Sequence, residues 1–275
     1  MYKLIVCDLD ETLLNTTDKK VSQQNRDAIL RARDAGVRFV IGTGRPYPTV
    51  QGTLEEIGLK DQKDQYIIGL NGGMITENAG NRVLYRQGIT FEEARELFER
   101  AREFKVGIHI YTGKDVFVWN FTDYGEKEFL TGRMEIIQRD DDNIEFLRDT
   151  GIIKILYFNC DFDYIKTLKD KVKDITGNMD VSFSSSRYIE FNRKGVTKGA
   201  GLKRLSDILG IDMADTIAIG DNFNDLSMIE AAGLGVGVNN SAEDIKPHCD
   251  YITKADCDHG AVAEVIDRFI FGKDI

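Results

Sequence analysis

Short apolar runs alternate with amphipathic stretches at the two ends of the chain, and a different rhythm fills the middle. Residues 4–7 (Leu-Ile-Val-Cys), 37–41 and 66–70 are nearly continuous in hydrophobicity, which predicts strands covered on both faces. Between the first two, residues 22–35 set Ala28, Leu30, Ala32 and Ala35 among polar positions. Ser22 is suited to cap the start of that helix and Gly36 its end. The pattern returns late, with strands predicted at 216–219, 234–238 and 251–253 and helices at 225–232 and 262–271. Alternation of this kind predicts an α/β fold: a doubly wound, Rossmann-like parallel sheet with helices on both faces.

The middle reads as paired, alternating strands, 106–111 with 116–121 and 179–184 with 188–191. Each pair follows an amphipathic helix, 91–104 in one case and 164–175 in the other, and residues 153–159 supply a further strand. The helix–strand–strand unit thus occurs twice without sequence identity between the copies. The expectation is an inserted α+β domain over 83–191 within a core formed by 1–82 and 192–275, with crossings near 80–86 and 191–195.

Composition narrows the classes of function. The 275 residues are 42% hydrophobic and 30% charged, ordinary for a globular protein. Lys+Arg 36 against Asp+Glu 46 gives a formal charge of -10, which argues against a nucleic-acid partner. A small anionic substrate stays compatible, since a local cation and a lysine outweigh the global field. Cys7, Cys160, Cys249 and Cys257 form no CxxC pair and read as free thiols in a reducing compartment. No apolar run approaches membrane-spanning length, and the start of the chain lacks the apolar stretch of a signal peptide. The expectation is a cytoplasmic protein without a membrane partner, a monomer or small homo-oligomer.

Candidate chemistry sits where predicted strands end. Asp8 and Asp10 follow the first strand, and two carboxylates at the mouth of an apolar run are costly without a counter-charge. They suggest a metal site and an aspartate nucleophile, or else a strand ending in a solvated turn. Gly42-Thr43-Gly44-Arg45 follows the second strand, and Gly220-Asp221-Asn222-Phe223-Asn224-Asp225 follows the strand at 216–219. Gly195-Val196-Thr197-Lys198-Gly199 opens a helix. Ligands of open α/β sheets bind beyond the carboxyl ends of strands, so these clusters converge on one rim. The set fits phosphoryl transfer. Mg²⁺ takes hard oxygen ligands, for which Asp8, Asp221 and a main-chain carbonyl suffice. Thr43, the Gly44 amide, Lys198 and Asn224 are phosphate donors. Asp8, Asp10, Asp221 and Asp225 carry four negative charges against three from Mg²⁺ and Lys198, and a proton on Asp10 would balance the pocket.

The ordered set DxDxT, a Thr after the second strand, an isolated Lys and GDxxND resembles the haloacid dehalogenase superfamily of phosphotransferases. The position of the insert, between the Thr and the Lys, is similar to that of the type II cap in Cof-type phosphatases. Asn71-Gly72-Gly73 and Asp258-His259-Gly260 extend the likeness, while Glu11 stands where glycine is commoner. The resemblance implies Asp8 as the nucleophile that forms an aspartyl-phosphate. Asp10 would protonate the leaving alcohol and then activate water. Thr43 and Lys198 would hold the phosphoryl group, with Leu9, Gly44, Arg45 and Asn224 completing the phosphate and substrate contacts. Asp221, with Asp8 and the Asp10 carbonyl, would ligate Mg²⁺, and Asp225 would stand behind them.

The expected function is a Mg²⁺-dependent phosphatase for a small-molecule phosphate ester such as a sugar phosphate. A phosphomutase on the same scaffold and a phospho-aspartate signalling module are the alternatives. Arg45 reads either as a contact to a second polar group of the substrate or as an ion-paired surface arginine. His109, Tyr111, Trp119 and Arg187 are candidate substrate contacts of the insert, although aromatics at alternating strand positions favour packing. His259 is expected to mark only a helix end.

Overall fold

The computed structural model describes residues 1–121, 124–131 and 134–274. The chain divides into two compact units, Met1–Tyr85 with Thr197–Ile275 and, between those segments, Arg86–Val196.

In chain order, the first unit begins with β1 (Leu4–Cys7), α1 (Gln23–Asp34), β2 (Arg38–Gly42), α2 (Gln51–Glu56), β3 (Tyr66–Gly69), β4 (Met74–Glu77) and β5 (Arg82–Arg86). The second contains α3 (Phe91–Ala101), β6 (Gly107–Thr112), β7 (Val116–Trp119), α4 (Tyr124–Thr131) and β8 (Ile137–Gln138), then β9 (Ile152–Phe158), α5 (Phe162–Lys171), β10 (Met179–Ser184) and β11 (Tyr188–Arg193). The chain then returns to the first unit with α6 (Lys198–Leu209), β12 (Thr216–Gly220), α7 (Phe223–Ala231), β13 (Leu234–Gly237), β14 (Tyr251–Ile252) and α8 (Ala261–Phe269).

The first unit is a Rossmann-like α/β layer. Its sheet has the order β14-β13-β12-β1-β2-β3-β4-β5, with the pairs from β14 to β3 parallel. Alternate residues of each strand enter opposite cores, as the pleat requires. Ile5, Cys7, Phe39, Ile41, Ile217 and Ile219 pack with α1 and α8, whereas Leu4, Val6, Val40 and Ala218 pack with α6 and α7. That two-sided burial is why these strands read as unbroken apolar runs. Ser22 caps α1 by accepting from the Asn25 amide, and Gly36, at φ +85°, follows the C-cap Ala35.

Two strands fall outside the predicted pattern. β4 pairs antiparallel with β3, and β5 carries the alternation to an exposed edge. Met74-Ile75-Thr76-Glu77 directly follows the Asn71-Gly72-Gly73 turn, and Arg82-Val83-Leu84-Tyr85-Arg86 is flanked by charge. Neither has the length or continuity of a buried strand.

The second unit is a sheet of order β10-β11-β9-β6-β7-β8, antiparallel except for the short β7–β8 pair. One face packs Ile108, Ile110, Trp119, Ile155, Tyr157 and Phe191 against α3 and α5, the two helices of the twice-used helix–strand–strand unit. Trp119 lies 5.1 Å edge-on from Phe98, so its role is packing. The opposite face holds His109, Tyr111, Lys154 and Glu190, all buried.

Candidate active site

Strand register builds the site. Cys7 is level with Ile219 on one side and Ile41 on the other, so the residues that follow each strand emerge together at one rim. Asp8 continues the ladder, its amide donating to the Ile219 carbonyl at 2.9 Å. The strand order reverses between β1 and β12, the place where open α/β sheets bind their ligands.

Asp8 and Asp221 leave the ends of β1 and β12. Lys198 begins α6, whose N-cap Thr197 accepts from the Ala200 amide at 3.1 Å. The lysine reaches the acids because α6 packs against α7 at near backbone contact. A Cβ at Gly199 would lie 2.1 Å from the Ser227 carbonyl oxygen, so any larger residue there would push Lys198 away. Lys198 Nζ donates to Asp8 Oδ1 and, at 2.6 Å, to Asp225 Oδ1. The other oxygen of Asp225 accepts from the amides of Asp221 and Asn222 at 3.1 and 3.2 Å. Asp225 therefore spends both oxygens fixing the lysine and the turn after β12. Thr12, the last residue of the DxDxT run, donates to Asp221 Oδ1 at 2.8 Å.

Carboxylate oxygens of Asp8, Asp221 and Asp225 all lie within 4.8 Å of one another. Three buried acids thus face one buried lysine. Burial, with the charges of Asp225 and Asp221, pushes the Asp8 carboxyl well up despite the pull of Lys198. Burial and the Asp225 charge raise Asp221 to about 6. Burial works against the charge of Lys198, but Asp225 and Asp8 outweigh it and hold the ammonium above its usual range. Acids pushed up while a lysine is already paired mark an excess of negative charge. The donors are hard oxygens, the set that a small divalent cation takes, so the residues fit such an ion.

Thr43 follows β2, buried, with its amide on the Ile68 carbonyl at 2.8 Å. Its hydroxyl oxygen accepts from the Arg45 amide at 3.1 Å, which leaves the hydroxyl hydrogen available to an incoming oxygen. Asp258 donates nothing here; its two oxygens accept from the amide and hydroxyl of Thr16 at 2.6 and 2.7 Å.

A haloacid dehalogenase-like hydrolase family matches residues 5–266. The chain belongs to that family. Among similar proteins, a 5-amino-6-(5-phospho-D-ribitylamino)uracil phosphatase of Bacillus subtilis, YwtE, is 32% identical over 293 residues, covering 98% of this chain and 99% of its own. The putative phosphatase YxeH of the same organism is 29% identical over 275 residues, with 99% and 100% covered. A solved haloacid dehalogenase-like hydrolase from Bacteroides thetaiotaomicron superposes with a TM-score of 0.86 at 32% identity, covering 98% of this chain and 99% of that one.

In this hydrolase the expected site residues separate into groups. Asp8, Lys198, Asp221 and Asp225 meet directly. Asp10 does not join them through its side chain: Arg45 Nε donates to Asp10 Oδ2 at 2.9 Å and an Arg45 terminal nitrogen to Asp10 Oδ1. Arg45 is thus the ion-paired arginine of the two readings. Leu9 is buried, and its carbonyl accepts from the Leu13 and Leu14 amides at 3.2 and 2.9 Å. Gly44 lies against Asn71, whose Oδ1 would meet a Cβ there at 3.1 Å. Asn224 is exposed on the first turn of α7. His259 lies beside Asp256, its Nδ1 2.6 Å from the carboxylate, ahead of α8.

Sequence reasoning gave no role to Thr12 or Asn71. Thr12 had a signal in the motif itself. Asn71 had one in backbone chemistry: with Leu70 it forms two successive left-handed residues, φ 53° and 55°, and their amides bind the carbonyls of Arg45 and Thr43 at 3.1 and 3.0 Å. Strain of this kind gathers at functional rims. Among the described residues, no helix is long and apolar enough to cross a membrane.

Proposed function

We propose that this hydrolase is a Mg²⁺-dependent phosphatase of the cytoplasm that cleaves a small phosphorylated metabolite through an aspartyl-phosphate on Asp8. The observation that carries the reading is the buried imbalance of three carboxylates against one lysine. A structural ion pair needs no such excess, whereas a site built for a divalent cation and a phosphate does.

Asp8, Asp221 and the Asp10 carbonyl would hold the cation. When bound, it supplies charge neutralisation for the acids and for the phosphoryl oxygens. Lys198 holds Asp8 in place and offers a positive charge to the phosphoryl group, and Asp225 keeps the lysine aimed. Thr43 donates its hydroxyl hydrogen to a phosphoryl oxygen. An Asp8 oxygen attacks phosphorus and the ester P–O bond breaks. Asp10, having taken up a proton after release from Arg45, passes it to the departing alkoxide. Asp10 then takes a proton from water as its oxygen attacks phosphorus, which restores Asp8 and releases inorganic phosphate.

The named relatives are phosphatases, one of a ribityl phosphate, which supports a polyol or sugar phosphate as the substrate class. Hydrolysis of p-nitrophenyl phosphate tests the chemistry: Asp8→Asn should abolish it, and EDTA should abolish it until Mg²⁺ is restored. Robust turnover by the Asp8→Asn protein would sink the reading. Free phosphate, in place of an isomerised sugar phosphate, is the expected product with a hexose phosphate.

A further inference from the structure

The loop after β1 leaves the site at Asp10 and returns at Val21, and most of residues 15–20 are exposed. An exposed excursion next to a reacting carboxyl is a poor platform unless something holds it. Two residues from the far end of the chain do so. Asn240 Nδ2 donates to the Glu11 carbonyl at 2.8 Å, across 229 positions of sequence, while its Oδ1 accepts from the Cys257 amide at 3.0 Å. Asp258 takes the amide and hydroxyl of Thr16 on its two oxygens.

The Glu11 carbonyl is a consequential place to hold. Glu11 is left-handed at φ 61°, a conformation that strains a residue with a Cβ and that glycine adopts freely. If Glu11 relaxed to the ordinary region, the chain at Asp10 would turn and carry the carboxyl with it. The Asp258-His259-Gly260 run, which the chemistry above leaves unused, thereby gains a role.

We propose that Asn240 is a positioning residue for Asp10: by anchoring the carbonyl of left-handed Glu11 to the Cys257 backbone it fixes the direction in which Asp10 leaves β1, and Asp258 secures the far end of the same loop. The inference rests on Asp10 being the group that protonates the leaving oxygen. A displaced proton donor harms substrates in proportion to the basicity of the leaving group. Phenol, with a pKa near that of tyrosine, about 10, needs the proton far more than p-nitrophenol does.

The test compares phenyl phosphate with p-nitrophenyl phosphate, with Mg²⁺ present. Asn240→Ala should lower kcat on phenyl phosphate about tenfold and on p-nitrophenyl phosphate about twofold, with KM little changed. Adding Glu11→Gly, which adopts the left-handed turn without help, should restore phenyl phosphate turnover to within about threefold of Glu11→Gly alone. A general loss of fold would lower both substrates together and would not be rescued in this pattern. Equal loss on both substrates, or no rescue by glycine, overturns the proposal. Asp10→Asn serves as the control on the underlying reading: it should show the same split, only larger. If it shows none, the role of Asp10 falls and the inference falls with it. If Asp10→Asn shows the split and Asn240→Ala does not, the inference alone is wrong.

Discussion

Each unit of the molecule buries a lysine among carboxylates, and the two clusters behave in opposite ways. In the second unit Lys154 meets Glu190 at 2.7 Å, one charge against one, and the Ser184 hydroxyl donates to the other Glu190 oxygen. Burial there works to raise Glu190, but Lys154 and Ser184 outweigh it and the carboxyl is held low. In the first unit Lys198 is paired just as closely, yet Asp8 and Asp221 are pushed up. Burial is similar in the two places, so the balance of charge decides. A matched pair is complete as it stands. An unmatched cluster is costly until a cation joins it, and a cost that serves no packing purpose points to chemistry.

The contrast can be broken at its centre with Lys198→Met. That change removes the one positive group among three acids and should lower aryl phosphate turnover by about 10³-fold or more, measured at saturating Mg²⁺. A rate within tenfold of the parent would mean that Lys198 is merely structural.

On the other side, Lys154→Met leaves Glu190 buried and unpaired and should cost about 3–5 kcal/mol in urea unfolding. Replacing both partners, Lys154→Met with Glu190→Leu, should restore stability to the parent value or exceed it by about 1–4 kcal/mol. No such apolar replacement is open to Asp8 and Lys198 without loss of activity. A double variant as unstable as the single one would show that the second cluster is not a self-contained pair.

The unbalanced cluster should also sense pH in a particular direction. Asp221 holds its proton to about 6 in the folded chain against 3.8 for an ordinary aspartate. Between those values the folded state binds more protons than the unfolded state, so stability of the cation-free protein falls as pH rises. That contribution, on the order of 2–3 kcal/mol at most, is fully lost above the folded value, where a divalent cation restores it. Millimolar Mg²⁺ should therefore raise Tm little at about pH 4.5 and by several degrees at about pH 7. Equal increments at both pH values would contradict the cluster as the site of binding.

The sequence was most legible where one short segment carries both fold and chemistry. Leu4-Ile5-Val6-Cys7 reads as a buried strand because both of its faces meet apolar helices, and Asp8 stands out against it. Thr43 and Asp221 were legible in the same way. Lys198 was different, since a lone lysine between Thr197 and Gly199 carries little signal of its own, and only its convergence with the other clusters and the resemblance raised it. Asp10 shows the limit more sharply. Its spacing from Asp8 suggested two carboxyls in one cluster, but its side chain pairs with Arg45, 35 positions away, and no local pattern encodes that pairing. Asn240 was silent for the same reason, because its meaning lies in a carbonyl across the fold. The β4 and β5 strands were lost to a physical ambiguity: half-polar edge strands next to glycine turns look like loops.

The unbalanced acids make Asp8 the proposed phosphoryl acceptor. The most direct measurement quenches the Mg²⁺-loaded enzyme during turnover of a phosphate ester, reduces any acyl-phosphate with borohydride and locates the modified residue by mass spectrometry. Reduction is expected at residue 8, dependent on Mg²⁺ and absent from the Asp8→Asn protein. Modification at another residue, or turnover with no acyl-phosphate trapped at residue 8, would contradict it.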